Sequence, residues 1–152
     1  GPNKKKTFSI NNFFTGYRKT KLKKNEFISS IKIPLFKENI FKAYKISKRF
    51  DDDISSILGS FNFEIINNKI KEVYIAYGGM AAVPKRARAC EAMLKNKPLT
   101  INTFTNAKDY LEKDFMPLDD MRASKEYRLE VAKNLLIKCF VEINTKKLTR
   151  VI

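Results

Sequence analysis

Two alternating runs that meet at Asn67-Asn68 set the fold. Ile57, Gly59, Phe61, Phe63 and Ile65 fall on one side of an extended chain, and Leu58, Ser60, Asn62 and Glu64 on the other. Successive side chains of a strand point to opposite faces, so this spacing predicts a half-buried strand. Asn67 and Asn68 tolerate positive φ and supply a hairpin turn. Val73, Ile75 and Tyr77 then share a face in a second strand, which stops at Gly78-Gly79. The apolar side of such a hairpin has to be covered by another layer.

The chain downstream supplies that layer as three helices. The first is predicted from Pro84, near its first turn, through Ala87, Cys90 and Leu94 to a stop at Pro98. The second is predicted from about Thr103, with Phe104, Ala107 and Leu111 on one stripe, to Pro117. The third follows Ser124, a good N-cap, with Glu126 near the positive end of the dipole. Its apolar positions Leu129, Ala132, Leu136, Cys139, Phe140 and Ile143 repeat every three or four residues, and Val131 and Leu135 widen the stripe. Upstream, alternation predicts strands over 27–33, ending at Pro34, and over 41–46. The fold class is therefore α+β: an antiparallel sheet of three to four strands followed by three helices packed on one face, a two-layer sandwich.

Charge and composition exclude several function classes. The net charge of +15 is uneven: residues 1–50 hold 14 basic and 2 acidic residues, whereas residues 51–152 hold 17 and 14. An excess of that kind suits nucleic acid, a membrane surface or an anionic ligand, or reflects a Lys-, Ile- and Asn-rich composition. With no His, this chain cannot build a Ser-His-Asp triad or a His-ligated metal. Cys90 and Cys139 are too far apart for a CxxC and lie in apolar helical patterns, so buried reduced thiols and a cytoplasmic location are expected. No apolar run reaches the roughly 20 residues of a membrane-spanning helix. The opening GPNKKK lacks an initiator Met and an apolar signal segment. The chain is thus expected to be part of something longer, with Gly1–Asn3 either native or a cloning scar.

Individually, the polar motifs are ambiguous. GYRKT at 16–20 is a phosphate-contacting patch or a solvated strand end. KRFDDDI at 48–54 sets three carboxylates beside Lys48 and Arg49, as a ligand-facing loop or an acidic helix start. YGGMA at 77–81 needs glycine for positive φ or for close approach. In DMRAS at 120–124, Arg122 is expected to pair with local carbonyls or carboxylates.

In order, FFTGYRKT, EFISSIKIP, KRFDDDI, YGGMAAVPKRA and DMRASKEYRL resemble the FAD-binding subunits of bacterial xanthine dehydrogenases. Their C-terminal domain is of the type also found in carbon monoxide dehydrogenase flavoproteins. The resemblance covers about Phe13 to Ile143 and implies two parts: 1–44 as the C-terminal remnant of the FAD-binding domain, and 45–152 as the flavoprotein C-terminal domain. It implies FAD as cofactor, with Ile28 (through its backbone), Lys45, Arg49 and Asp52 as cofactor-binding residues and no catalytic residue of the chain's own. It implies structure rather than ligand contact for Tyr77–Met80. Implied partners are the upstream FAD-binding and iron–sulfur domains, a large subunit carrying molybdenum cofactor, and NAD. The implied activity is oxidation of hypoxanthine or xanthine to urate. Another molybdenum hydroxylase, or a docking domain without chemistry, remains open. A basic nucleic-acid-binding module is disfavoured, because the aromatics of the N-terminal third alternate into strand faces.

Overall fold

The computed structural model describes residues 5–35, 38–49 and 53–149. A 3-10 turn, Ile10–Asn12, leads into a small hairpin of β1 (Phe14–Gly16) and β2 (Lys19–Thr20). The main sheet is antiparallel, in the order β3 (Ile40–Ile46), β4 (Ile57–Ile66), β5 (Lys69–Gly78) and β6 (Lys85–Arg86). Four helices follow: α1 (Arg88–Leu94), α2 (Ile101–Lys108), α3 (Leu111–Asp114) and α4 (Lys125–Thr145). The α+β sandwich is as the alternation predicts.

The β4–β5 hairpin turns on Asn67 (φ 48°) and Asn68 (φ 59°), flanked by the Ile66–Lys69 pair. Two positive φ values in a two-residue loop match the right-handed twist of the strands. One face of the hairpin, Ile57, Phe61, Phe63, Val73, Ile75 and Tyr77, is buried under the helices. Aromatic side chains tie the layers together. Phe61 meets Tyr77 edge-on at 5.7 Å, Phe63 packs on Phe104, and Phe104 packs on Phe140 at 4.9 Å. The Tyr77 hydroxyl donates to the Ala132 carbonyl at 2.8 Å, pinning β5 to α4. Cys90 and Cys139 are both buried and unbridged, and burial pushes the Cys139 thiol up to about 12.

The helical layer departs from the predicted boundaries wherever a tertiary partner intervenes. Instead of starting a helix, the residues after Pro84 form β6, with Lys85 and Arg86 opposite Tyr77 and Ala76. Helix α1 starts only at Arg88. Its first amides are capped from outside: the Asp114 carboxylate accepts from the backbone N–H of Ala89 and Cys90, both at 2.9 Å. The predicted second helix is two, α2 capped by Thr100 and α3, broken at Asp109-Tyr110. Ser124 does cap α4, accepting from the Tyr127 N–H.

The strand expected over 27–33 is not present. Those residues run extended, and no backbone hydrogen bond reaches them among the described residues. A strand needs a paired edge, and this one has none. The division expected at 44/45 falls inside β3, which pairs with β4 along its whole length, from Ile40–Phe63 to Ile46–Ile57.

Strand β3 is held to α4 by a buried carboxylate. Glu142 accepts from the Tyr44 hydroxyl (2.9 Å) and the Thr149 N–H (3.0 Å), and pairs with Lys138 (2.9 Å) and Lys42 (3.4 Å). Burial alone would raise the Glu142 carboxyl. The bonds from Lys138, Thr149 and Tyr44 outweigh it and hold the group at about 2, against an ordinary 4.5.

Because the folded value lies below the unfolded one, this site stabilises the fold above about pH 4.5 and loses that contribution as pH falls toward 2. Glu142→Gln is expected to be less stable at neutral pH, where it takes the counter-charge from Lys138 and Lys42. Its stability should also fall less steeply between pH 4.5 and 2. Urea unfolding across that range checks this; parallel acid limbs in both proteins would contradict it. Gly79→Ala is the second test. Gly79 has φ +82°, and an added Cβ would collide with the Ser56 carbonyl. The left-handed backbone alone costs about 1–2 kcal/mol, so the thermal midpoint should drop by several degrees. Gly16→Ala, whose Cβ would meet nothing closer than 3.9 Å, should leave it unchanged.

Candidate functional site

The outward face of the main sheet is uncovered, and three cross-strand rows run over it. Phe41 lies beside Asn62 and Tyr74, Ala43 beside Ser60 and Ala76, and Lys45 beside Leu58. Small residues in the middle row leave a shallow depression of about 160 Å3, with Phe41, Asn62, Tyr74 and Arg86 around it. Phe41 is 64% exposed and Tyr74 46%. The Arg86 guanidinium stacks 4.6 Å from the Tyr74 ring while its nitrogens pair with Glu91 at 2.5 and 2.9 Å. Asn62 Oδ1 is buried in this surface without a hydrogen-bond partner among the described residues. A shielded acceptor without a donor carries a desolvation cost of about 1–3 kcal/mol, so this face suits a covering partner that brings a donor.

Beyond the end of β3 lies a second groove of about 320 Å3, lined by Lys48, Asp53, Ile54, Met121 and Arg122. Lys48 Nζ donates to the Met121 carbonyl at 2.7 Å, closing one side. Arg49 is exposed; its Nε lies 3.5 Å from Asp53, and that bond together with local N–H groups holds the Asp53 carboxyl below the usual range. Arg122 bonds to Asp120 through its backbone N–H (2.8 Å) and its guanidinium (3.4 Å), as expected for it.

Arg128 holds the loops behind this groove together. Its Nη1 donates to the carbonyls of Ser56 and of Gly79 (2.7 Å), and its Nη2 pairs with Asp120 at 2.6 Å. Burial would lift the Asp120 carboxyl, but the N–H groups of Arg122 and Ala123 and the Arg128 guanidinium hold it at about 2. The 77–80 turn is therefore structural: Tyr77 and Met80 are buried and Gly79 serves Arg128.

Of the residues singled out from the sequence, Lys45 and Arg49 share one end of the sheet. Lys45 points from the uncovered face and makes no ion pair among the described residues. Ile28 lies in the unpaired arm, 53% exposed, with no hydrogen bond to either. Asp52 lies outside the described residues. GYRKT forms the β1–β2 turn, with Arg18 at φ 55° and its guanidinium over the Tyr17 ring. Sequence reasoning missed Arg128, Asp120 and Asn62. Arg128 left a signal, because it falls four residues before Ala132, in step with the buried stripe of α4.

Comparison with known proteins agrees with this architecture. The CO dehydrogenase flavoprotein C-terminal domain family matches residues 42–143. The xanthine dehydrogenase of Emericella nidulans is 38% identical over 107 residues, 68% of this chain and 8% of that protein. The xanthine dehydrogenase FAD-binding subunit of Escherichia coli O157:H7 is 30% identical over 135 residues, 88% of this chain and 46% of that subunit. A solved carbon monoxide dehydrogenase from Hydrogenophaga pseudoflava, lacking the Mo-pyranopterin moiety of its molybdenum cofactor, superposes with a TM-score of 0.77. It is 23% identical, and the match covers 84% of this chain and 45% of that one. The chain thus spans about half, or less, of the proteins it matches. Because that family's model matches residues 42–143, most of its length, the chain belongs to the CO dehydrogenase flavoprotein C-terminal domain family.

Proposed function

We propose that the chain serves as the C-terminal domain of the flavoprotein subunit of a molybdenum hydroxylase of the xanthine dehydrogenase type. The observation that carries this is the 30% identity to an FAD-binding subunit over 88% of the chain. The 38% identity to a second xanthine dehydrogenase supports purine oxidation over other substrates. On this reading the residues before β3 belong with the FAD-binding domain, and the remaining partners are iron–sulfur and molybdenum-cofactor units. The two buried, unbridged cysteines suit a reducing cytoplasm.

The residues present fit one side of a flavin site. Lys45 offers an ammonium without an ion pair among the described residues, on a face whose Asn62 acceptor lacks a donor. Lys48 and Arg122 add cations at the neighbouring groove, and Arg49 stands close by with Asp53 below it. A bound flavin would supply the redox chemistry, taking electrons from iron–sulfur centres and passing hydride to NAD+. The chain's own part is positional: Lys45 binds an anionic portion of the cofactor, the backbone of Ile28 offers unused hydrogen-bonding groups, and Arg49 with Asp53 shapes the field at the acceptor's approach. No general base is required of it. Ligand sites normally enclose most of their ligand, and a single open face does not.

Two outcomes test this. The chain alone should purify without stoichiometric flavin; a retained flavin absorbance band after gel filtration counts against a one-sided site. In the intact subunit, Lys45→Ala removes a charge-assisted contact worth about 1.5–3 kcal/mol. FAD should then bind roughly ten- to a hundred-fold more weakly. Lys45→Arg should recover only part of this, since a planar fork does not reproduce a compact ammonium. FAD titration reads both variants, and unchanged affinity in the alanine variant would remove Lys45 from the site.

A further inference from the structure

The inward row of β3 is Ile40, Lys42, Tyr44 and Ile46, all of them half-buried. Two of these four side chains reach the same oxygen. The Tyr44 hydroxyl donates to Glu142 Oε2 at 2.9 Å, and Lys42 Nζ lies 3.4 Å from it. The Tyr44 ring is held as well: Phe61 packs against it with 5.7 Å between ring centres, and the Lys138 ammonium lies 5.3 Å from its centre. Opposite Tyr44 in β4 stands Gly59, where an added Cβ would come within 3.0 Å of the Phe61 and Tyr77 rings. The space a side chain would take there is given to those rings. The Glu142 carboxylate is fixed in turn. It sits on α4, 3% exposed, and its other oxygen accepts from the Thr149 N–H (3.0 Å), the Thr149 hydroxyl (3.1 Å) and Lys138 (2.9 Å).

Lys45 follows Tyr44 directly and projects from the opposite face, because successive side chains of a strand alternate. A slide or rotation of β3 that moved Tyr44 would carry the base of the Lys45 side chain with it. We propose that Glu142 is a positioning residue for the flavin site: by fixing Tyr44 and Lys42 it sets the place of Lys45, and so acts on the cofactor without touching it. This rests on the flavoprotein reading above, in which Lys45 binds an anionic portion of FAD. Stability alone is a poor account of the arrangement. Removing one member of a buried ion cluster is costly, yet well-packed apolar side chains of the same volume usually stabilise a fold as well or better. The best-attested use of such a cluster is to fix register. Here it fixes the strand that carries the flavin-facing lysine. The effect is graded rather than absolute. A flexible four-carbon stem absorbs part of any shift of the strand, so freeing β3 costs less binding than removing the ammonium.

The test is FAD titration of the intact flavoprotein subunit, as double-mutant cycles of Tyr44→Phe and of Glu142→Gln against Lys45→Ala. Tyr44→Phe keeps the ring on Phe61 and removes only the hydroxyl, leaving Glu142 its lysines and Thr149. With Lys45 in place, each variant should weaken FAD binding about three- to ten-fold, the range of coupling between residues of one network. In the Lys45→Ala background each should change it by less than about two-fold, because no ammonium is left to misplace. Equal losses in both backgrounds mark a general loosening of the domain and overturn the proposal. Unchanged affinity in both variants, while Lys45→Ala binds FAD weakly, also overturns it and leaves the flavoprotein reading standing. If Lys45→Ala itself binds FAD as the parent does, the reading of Lys45 fails first and this proposal falls with it. Should Glu142→Gln not fold, the Tyr44→Phe cycle decides alone.

Discussion

The buried guanidinium of Arg128 is the condition on which the sheet's working end depends. A charge taken out of water is tolerated only where it is paired and hydrogen-bonded. Arg128 meets that demand with Asp120 and with the carbonyls of Ser56 and Gly79, its Nε having no partner among the described residues. Those three partners lie in three separate connections: the segment leading into β4, the turn after β5, and the loop before α4. One side chain therefore fixes the relative positions of all three. Two of the connections also line the groove of Lys48, Asp53, Met121 and Arg122. The order of the groove is thus inherited from a residue that is not part of it. The same demand explains Gly79. The carbonyl must face Arg128 while the backbone passes against Ser56, and an added Cβ has no room there.

What was legible in the sequence was local. The β4–β5 hairpin shows itself because alternation and the Asn67-Asn68 turn are both short-range signals, and both agree with the burial of the Phe61–Tyr77 face. Ser124 and the stripe of α4 are read in the same way, within a few residues. Illegible were the features decided by distant partners. Lys85 and Arg86 form a strand because β5 presents a free edge to them, which overrides the helix signal of Pro84. Helix α1 has no cap of its own and borrows Asp114, some twenty-five residues away. Segment 27–33 shows the converse: a strong local strand pattern stays unpaired among the described residues, because alternation marks a strand without naming the edge it would join. At the candidate site, Lys45 is singled out only through resemblance, since an exposed lysine on a strand carries no local signal of its own. Arg128 was legible in principle, as a charge in step with an apolar stripe.

The two faces of the main sheet differ in what they still require, and the difference bears on specificity. The inner face is complete: its aromatic rings interlock, and its charged groups Glu91, Asp114 and Glu142 each find donors. The outer face is apolar at Phe41, Leu58 and Tyr74, but an unpartnered Asn62 oxygen sits between two of them. A purely apolar partner would bury Phe41 and Tyr74 and leave that oxygen sealed from water for good, at about the full desolvation cost of an unmade hydrogen bond. A partner with a donor opposite Asn62 gains both terms. An unmatched polar atom of this kind penalises a partner that brings no donor opposite it, as mismatched polar atoms do in specific interfaces. Lys45, one row beyond Ala43 on the same strand, adds a cation with no ion pair among the described residues.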